Sequence, residues 1–520
     1  MADIATHSSK RPGGRRIARR SLFVAIGASL AATSLAAPAD ARLLPLFGND
    51  SKPAAELGSM YSVVDQIGAR TLWERGVTGE GVNVAVIDTG VAPVEALSGP
   101  DKVIAMVDLS AEAGVPEAEY LDTYGHGTHM TGIIAGRTPG ADPATSEDHP
   151  EWFLGVAPDA GIVSVKVGDN TGAVDVSQVI AGIDWVVEFQ DELDISVLNL
   201  SFGSDSLHTY LTDPLTHAVE RAWAAGIVVV VAAGNDGLGI GLSSPATDPD
   251  VITVGGLRAL SNTRYEIPDW ASNGNIVLRN PDIGAPGAHI QSLRSPGSRA
   301  DVEHPEGRID DQLFLGSGSS QAAAVTSGAA ALLLSERPWL TNDQVKDLLK
   351  RSANSRSVPW LTQIYRGHGA LRVDTASRLS PRSGRQYNLP ALGTGTLDGA
   401  RGTASLSIAG IELSGEVSIV GGDWTGARWT GARWTAGEWD GARWTGGEWR
   451  GARWTDATWT GARWTGARWT GADWAGARWT GEEWTGSSWS GARWTGARWT
   501  GTEWSGARWT GTRWMSTTWS

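Results

Sequence analysis

The 520 residues contain no cysteine. This excludes a disulfide framework and any Cys-ligated metal site. Beyond the N-terminal segment, no apolar run reaches the ~20 residues that a membrane helix needs. A transmembrane anchor in the mature chain is therefore not expected. Basic charge is scarce in the middle of the chain. Residues 1–41 carry +4 and residues 424–520 carry +4, against a total of −14, which leaves −22 for residues 42–423. So acidic a body repels nucleic acid, and no nucleic-acid partner is expected. A solvated acidic surface is the simplest account of that charge. Calcium sites are the sharper account, but no ligand set can be placed from the sequence and no other cofactor is implied. What is present is enough apolar residue, 41%, to build a sizeable core.

The N-terminus reads as a targeting segment. "RPGGRRIARR" is basic, "SLFVAIGASLAATSLAA" is apolar at the length of a signal core, and "ADA" (Ala39, Asp40, Ala41) offers small residues at both cleavage positions. Arg19-Arg20 followed by Ser21, Leu22 and Phe23 is similar to the twin-arginine export signal. The mature protein is expected to be secreted and to start near Arg42.

From about residue 60 short apolar strands alternate with helical patterns. "VNVAVID" (82–88), "GIVSVKV" (161–167), "ISVLNLSFG" (195–203) and "IVVVVAAGN" (227–235) read as strands. "HGTHMTGIIAG" from His126, "VSQVIAGIDWVVEFQ" (176–190), "PLTHAVERAWAAG" (214–226) and "SSQAAAVTSGAAALLLSERP" (319–338) read as helices. Thr341 and Gln344 stand at capping-box spacing ahead of another helix. The fold class expected is α/β, a parallel sheet covered by helices on both faces. In such folds sites gather at the carboxyl ends of strands and at helix N-termini.

Four residues stand at such places. Asp88 closes a strand; alone it reads as a cap, a turn residue or a metal ligand. His126 opens a helix, with His129 one turn on, but no glutamate of a zinc-binding "HExxH" lies between them. Asn235 follows a buried strand and alone is a turn residue. Ser320 follows Gly316 and Gly318 at a helix start, where free N–H groups favour negative charge. Together they read as a reaction centre. An Asp orients a His, the His takes the Ser proton, and the Ser attacks a carbonyl. The Asn amide and the Ser N–H then hold the resulting oxyanion.

These motifs resemble those of the subtilisin-like serine peptidases, from about Val63 to about Leu379. "GVNVAVIDTGV" implies Asp88 as orienting acid, "GHGTHMTGIIAG" implies His126 as base, "VVVVAAGNDG" implies Asn235 at the oxyanion, and "GSGSSQAAAVTSGAAALLL" implies Ser320 as nucleophile. His129 falls on the family's second, non-catalytic His. "VLNLSFG" looks like the substrate-lining strand, implying that Ser201, Phe202 and Gly203 border the pocket for the residue before the scissile bond. "APG" (285–287) and "SSPATDPDVITVGG" also fit. Three positions depart from the pattern: Ser319 stands for the usual Thr, Gln321 for Met, and Ala324 for Pro. None removes a reacting group. Exported relatives usually carry a folded pro-domain, whereas residues 42–62 are too few for one. Folding without a chaperoning pro-domain is the expectation.

The C-terminus has a different composition. Residues 380–422 are rich in Gly, Ser and Thr and alternate well enough in their second half for a hairpin. From Trp424 to Trp519 a Trp then stands at every fifth position, twenty of the 27 in the chain. The preceding residue is Arg eleven times and acidic six times. Five residues turn a helix by about 500°, so a helix would spread the rings around every face. At roughly 200 Å² each, twenty rings offer about 4,000 Å² to bury, against the few hundred Å² of apolar patch that a soluble monomer exposes. Ala-Arg-Trp-Thr-Gly resembles the pentapeptide-repeat pattern, which implies a four-sided right-handed β-helix with one repeat per side. That family's centre is usually Leu or Phe, so four Trp per layer is a departure. A less regular β array or a disordered low-complexity tail are the other readings. Trp stacking on sugars and Arg on anionic groups suit a cell-wall polymer as the tail's partner.

The organisation expected is therefore a signal peptide at 1–41 and a short extension at 42–62, then a peptidase domain at 63–379. A linker becoming β follows at 380–422, and a Trp-repeat module, β-rich and solenoid-like, at 423–520. The function expected is an exported serine endopeptidase acting on protein or peptide substrates. The alternative is a surface-binding protein whose peptidase domain is inactive and whose tail carries the function.

Overall fold

The computed structural model describes residues 57–418, with breaks at 238–240, 273, 275–278, 359–366, 404–405 and 409–410, together with the backbone of strands between 454 and 515. The expected signal peptide lies outside the described residues, as does most of the short extension.

Eight strands form the central sheet: β1 (Asn83–Asp88), β2 (Val103–Asp108), β3 (Gly161–Lys166), β4 (Ile195–Leu200), β5 (Val228–Ala232), β6 (Ile252–Ser261), β7 (Arg264–Glu266) and β8 (Ile283–Pro286). Their order is β2-β3-β1-β4-β5-β6-β7, with β8 also on β6. Every pairing is parallel except β6 with β7. β3, β5 and β8 are buried at every position. This is why they read as unbroken apolar runs: both faces of the sheet are covered. The expected α/β fold with a mainly parallel sheet is the fold observed.

The helices follow in order: α1 (Met60–Ile67), α2 (Arg70–Trp73), α3 (His126–Ala135), α4 (Val176–Glu188), α5 (Pro214–Ala224), α6 (Arg299–Glu303), α7 (Ser319–Glu336), α8 (Asn342–Ser352), α9 (Val373–Arg378) and α10 (Leu397–Arg401). α7 is buried from Ser319 through Leu334 and packs on α3 and on strands β4, β5, β6 and β8. A helix wrapped on all sides needs no polar face, which explains its small-then-large apolar sequence.

The stretch expected to be a linker carries α10 and is bonded to the body. Leu392 N–H donates to Leu211 O, Gly395 N–H to Thr212 O, and Ser204 Oγ to Ala400 O. Arg401 forms a buried ion pair with Asp175, the N-cap of α4, at 2.6 Å. Beyond it Leu406–Ile408 and Ile411–Leu413 pair as an antiparallel hairpin. In the repeat region the described backbone pairs in parallel, with Trp454 opposite Trp469, Trp469 opposite Trp484, and Trp459 opposite Trp474. The offset is three repeats, where the pentapeptide resemblance implies four.

Candidate active site

Asp88 is the last residue of β1, Ser201 follows the end of β4, and Asn235 lies just past β5. All three are at carboxyl ends of neighbouring parallel strands. His126 is the first residue of α3 and Ser320 the second of α7. Topology therefore delivers to one edge of the sheet the residues that the motifs singled out.

His126 Nδ1 lies 2.7 Å and 2.9 Å from the two oxygens of Asp88. A carboxylate accepts, so Nδ1 carries the proton and Nε2 is left as a base. Burial opposes charging of this ring, but the Asp88 charge and hydrogen bond outweigh it and hold the His126 pKa above the ordinary 6.5. His129 behaves differently. Its Nε2–H donates to Phe314 O at 3.1 Å. Burial first, and the His126 charge second, push its pKa down to about 4. It is a neutral structural imidazole.

The start of α3 is held by residues that sequence reasoning missed. Thr128 N–H donates to Asp122 Oδ2 at 2.7 Å and Gly125 N–H to Asp122 Oδ1 at 2.6 Å. Thr89 Oγ1 also donates to Asp122, and accepts from Gly127 N–H at 2.9 Å. Thr89 N–H in turn donates to Asp88 Oδ1 at 2.8 Å. One network thus fixes both Asp88 and the helix that presents His126. Burial raises the pKa of Asp122, and its hydrogen bonds oppose that rise. The only hint in the sequence was an Asp four residues before His126. Gly127 is required here, since a Cβ would lie 2.2 Å from Gly90 O.

Asn235 Oδ1 accepts from Ser319 N–H at 2.8 Å and from Ser319 Oγ at 2.9 Å. Ser319 Oγ itself accepts from Gly234 N–H at 3.1 Å. With the amide oxygen engaged, Nδ2 is the end free to donate. It lies over Gly318, where a Cβ would approach it to 3.2 Å. Gln321 Oε1 is buried beside the same glycine and has no hydrogen-bond partner. Ser319 is thus consumed in holding Asn235. Ser320 Oγ points at Ser201 O at 3.4 Å, and Ser201 Oγ donates to Ser320 O at 3.3 Å. No hydrogen bond joins Ser320 Oγ to His126 in this conformation. Catalytic hydrogen bonds are often long or misaligned until substrate is bound. The Ser320 N–H, in the first turn of α7, has no intrahelical acceptor and is a second free donor. Ser201 and Phe202 are half-buried and Gly203 is exposed, so the segment after β4 borders open space beside Ser320.

Residues 79–381 match the model of the Subtilase family. The chain is 38% identical over 314 residues to Serine protease AprX of Bacillus subtilis (strain 168), covering 58% of this chain and 67% of that one. It is 33% identical over 321 residues to Subtilisin E of the same organism, covering 61% and 70%. To the Subtilisin of Bacillus pumilus it is 32% identical over 321 residues, covering 61% and 98%.

Proposed function

The chain belongs to the subtilase family of serine endopeptidases, and we propose that it cleaves peptide bonds through Asp88, His126 and Ser320, with Asn235 at the oxyanion. His126 Nε2 takes the Ser320 proton as Oγ attacks the substrate carbonyl carbon. The negative charge moves to the carbonyl oxygen, which accepts from Asn235 Nδ2 and the Ser320 N–H. The intermediate collapses as His126 returns the proton to the leaving amine, and an ester on Ser320 remains. Water, deprotonated by the same imidazole, then attacks the ester carbon, and His126 returns the proton to Ser320 Oγ as the C–O bond breaks and the acid leaves. Asp88 keeps Nδ1 protonated and stabilises the imidazolium at each transfer. Ser201, Phe202 and Gly203 border the pocket for the residue before the scissile bond.

The observation that carries this reading is the Asp88 contact to His126 Nδ1 at 2.7 Å, which leaves the other ring nitrogen as the base. A fluorophosphonate probe tests it. Labelling of the wild-type chain and of Ser319→Ala, lost in Ser320→Ala, is expected. Equal labelling of Ser320→Ala and wild type would sink the assignment.

Residues 1–41 direct export in this reading, residues 63–379 are the peptidase domain, and residues 423–520 form a β module that retains the protein on a cell-wall polymer. Among the described residues no helix is long and apolar enough to cross a membrane. Release of full-length and tail-less protein into the medium in equal proportion would remove the tail's role.

A further inference from the structure

Three carboxylates meet away from the reaction centre: Glu220 on α5, and Asp248 and Asp250 in the loop leading to β6. One oxygen of each lies within 4.8 Å of the others. Clustering alone says little, because acids crowd on many surfaces. The way each is held says more. Glu220 Oε2 accepts from Ala391 N–H at 2.8 Å, Asp248 Oδ1 from Asp250 N–H at 2.8 Å, and Asp250 Oδ1 from Asn388 Nδ2 at 2.6 Å. Each carboxylate has one oxygen fixed by a protein donor and one left over. Two of the leftover oxygens, Glu220 Oε1 and Asp248 Oδ2, are buried with no donor at all. Asp248 is 0% exposed, so no bulk water reaches it.

A buried anionic oxygen without a partner is strongly unfavourable. Among the described residues Arg279 and Lys346 are cations whose charge acts on Asp248, and both are committed elsewhere. Arg279 donates to Ala246 O, Val251 O and Asp282. Lys346 donates to the carbonyls of Pro249, Asp250 and Val251 and to Gln386 Oε1. No described basic side chain donates to Glu220 Oε1 or Asp248 Oδ2, so the converging oxygens need either a proton shared between the two acids or a cation. The donor set is all oxygen and triply acidic, without imidazole or thiol, which suits a hard divalent ion of calcium's ligand preference. Donors held behind each carboxylate, as Ala391, Asn388 and the Asp250 N–H are here, are what orients ligands around a metal.

We propose that Glu220, Asp248 and Asp250 form a calcium site that the C-terminal segment around 386–391 completes. The ion binds the folded chain and not the unfolded one, so it stabilises the body by mass action. It also couples that stability to the docking of the segment leading to the repeats.

The test uses the full chain carrying Ser320→Ala to prevent self-digestion, stripped with chelator and dialysed against calcium chloride up to about 1 mM. Bound equivalents and thermal midpoints are compared with the same chain carrying Asp248→Asn or Glu220→Gln. One equivalent fewer in Asp248→Asn, a smaller calcium-dependent rise in Tm, and an affinity at least roughly tenfold weaker in Glu220→Gln are expected. Equal stoichiometry and equal Tm response in all three proteins overturn the proposal. So does a parent that binds no calcium. Variants that are more stable than the parent in chelator, with calcium binding unchanged, also overturn it, because they indicate a proton shared between the two acids. Circular dichroism checks folding, and Glu220→Gln, at a half-buried position, decides alone if Asp248→Asn does not fold.

Discussion

Six described helices have eight residues or more, and they start in two different ways. Four cap themselves. Ser59, Asp175, Asp213 and Thr341 each accept a backbone N–H from the helix that they open, and Asp175 and Thr341 complete capping boxes. The other two, α3 and α7, open at Gly125 and Gly318 with no side-chain cap of their own. These are the helices that carry His126 and Ser320. Their first N–H groups are satisfied through a bridge to another element: for α3 by Thr89 and by the nearby Asp122 that Thr89 Oγ1 holds, and for α7 by Asn235. A local cap stabilises one helix. A remote cap does that and also fixes the helix against another element. At α3 the remote cap ties His126 to Asp88, and at α7 it ties the helix of Ser320 to Asn235.

If that division is right, losses at the reactive helices fall on rate and losses at the self-capped ones fall on stability alone. Ser320→Ala is the largest break. Activity should drop on the order of 10⁶-fold, the scale known for removing a subtilisin's nucleophile, with Tm nearly unchanged by calorimetry. Asn235→Ala should cost on the order of 10² to 10³ in kcat, again a scale set by a subtilisin. It should also lower Tm, since Ser319 loses its acceptor. A rate loss with no change in Tm would mean that Asn235 is not a cap. The pH profile sharpens the same point. His126 acts as a base only when neutral, so kcat/KM should fall as pH drops through its pKa. With Asp88 raising that pKa, the acid limb should lie above 6.5, and Asp88→Asn should move it down while slowing the reaction by about 10⁴.

What could be read in the sequence follows the same line between local and remote. The capping box at Thr341 and Gln344 was legible because both partners sit three residues apart. The parallel sheet was legible from apolar runs. Asp88, His126, Asn235 and Ser320, the residues of the proposed site, stand out in the sequence because each lies in a dense motif at a strand end or helix start. Asp122 does not. Its partners are Thr89, 33 residues away, and N–H groups that any helix start offers. Ser319 read only as a departure from a usual Thr; its bonds to Asn235 and Gly234 span 84 and 85 residues. Composition suggested a linker at 380–422, but composition carries no trace of an ion pair between residues 226 positions apart, as for Arg401 and Asp175. The contact between Ser320 and His126 is expected from chemistry and is not made in this conformation, where Ser320 Oγ faces Ser201 O instead.

The two smallest effects separate remote from local capping most cleanly. Asp122→Ala removes the acceptor for Thr128 N–H, Gly125 N–H and Thr89 Oγ1 in a buried site. Leaving such donors unsatisfied should cost about 1–3 kcal/mol, read as a lower denaturant midpoint. Because the start of α3 and Thr89 move with it, kcat should fall as well, while KM should change less. Thr341→Ala is the matched control. Thr341 is exposed and its side chain accepts only from its own helix, at Gln344 N–H. Its loss should cost about 1 kcal/mol, with kcat and KM unchanged. Should Thr341→Ala slow the enzyme as much as Asp122→Ala at equal loss of stability, remote capping would have no special part in catalysis. The glycines at the starts of α3 and α7 would then mark close packing alone.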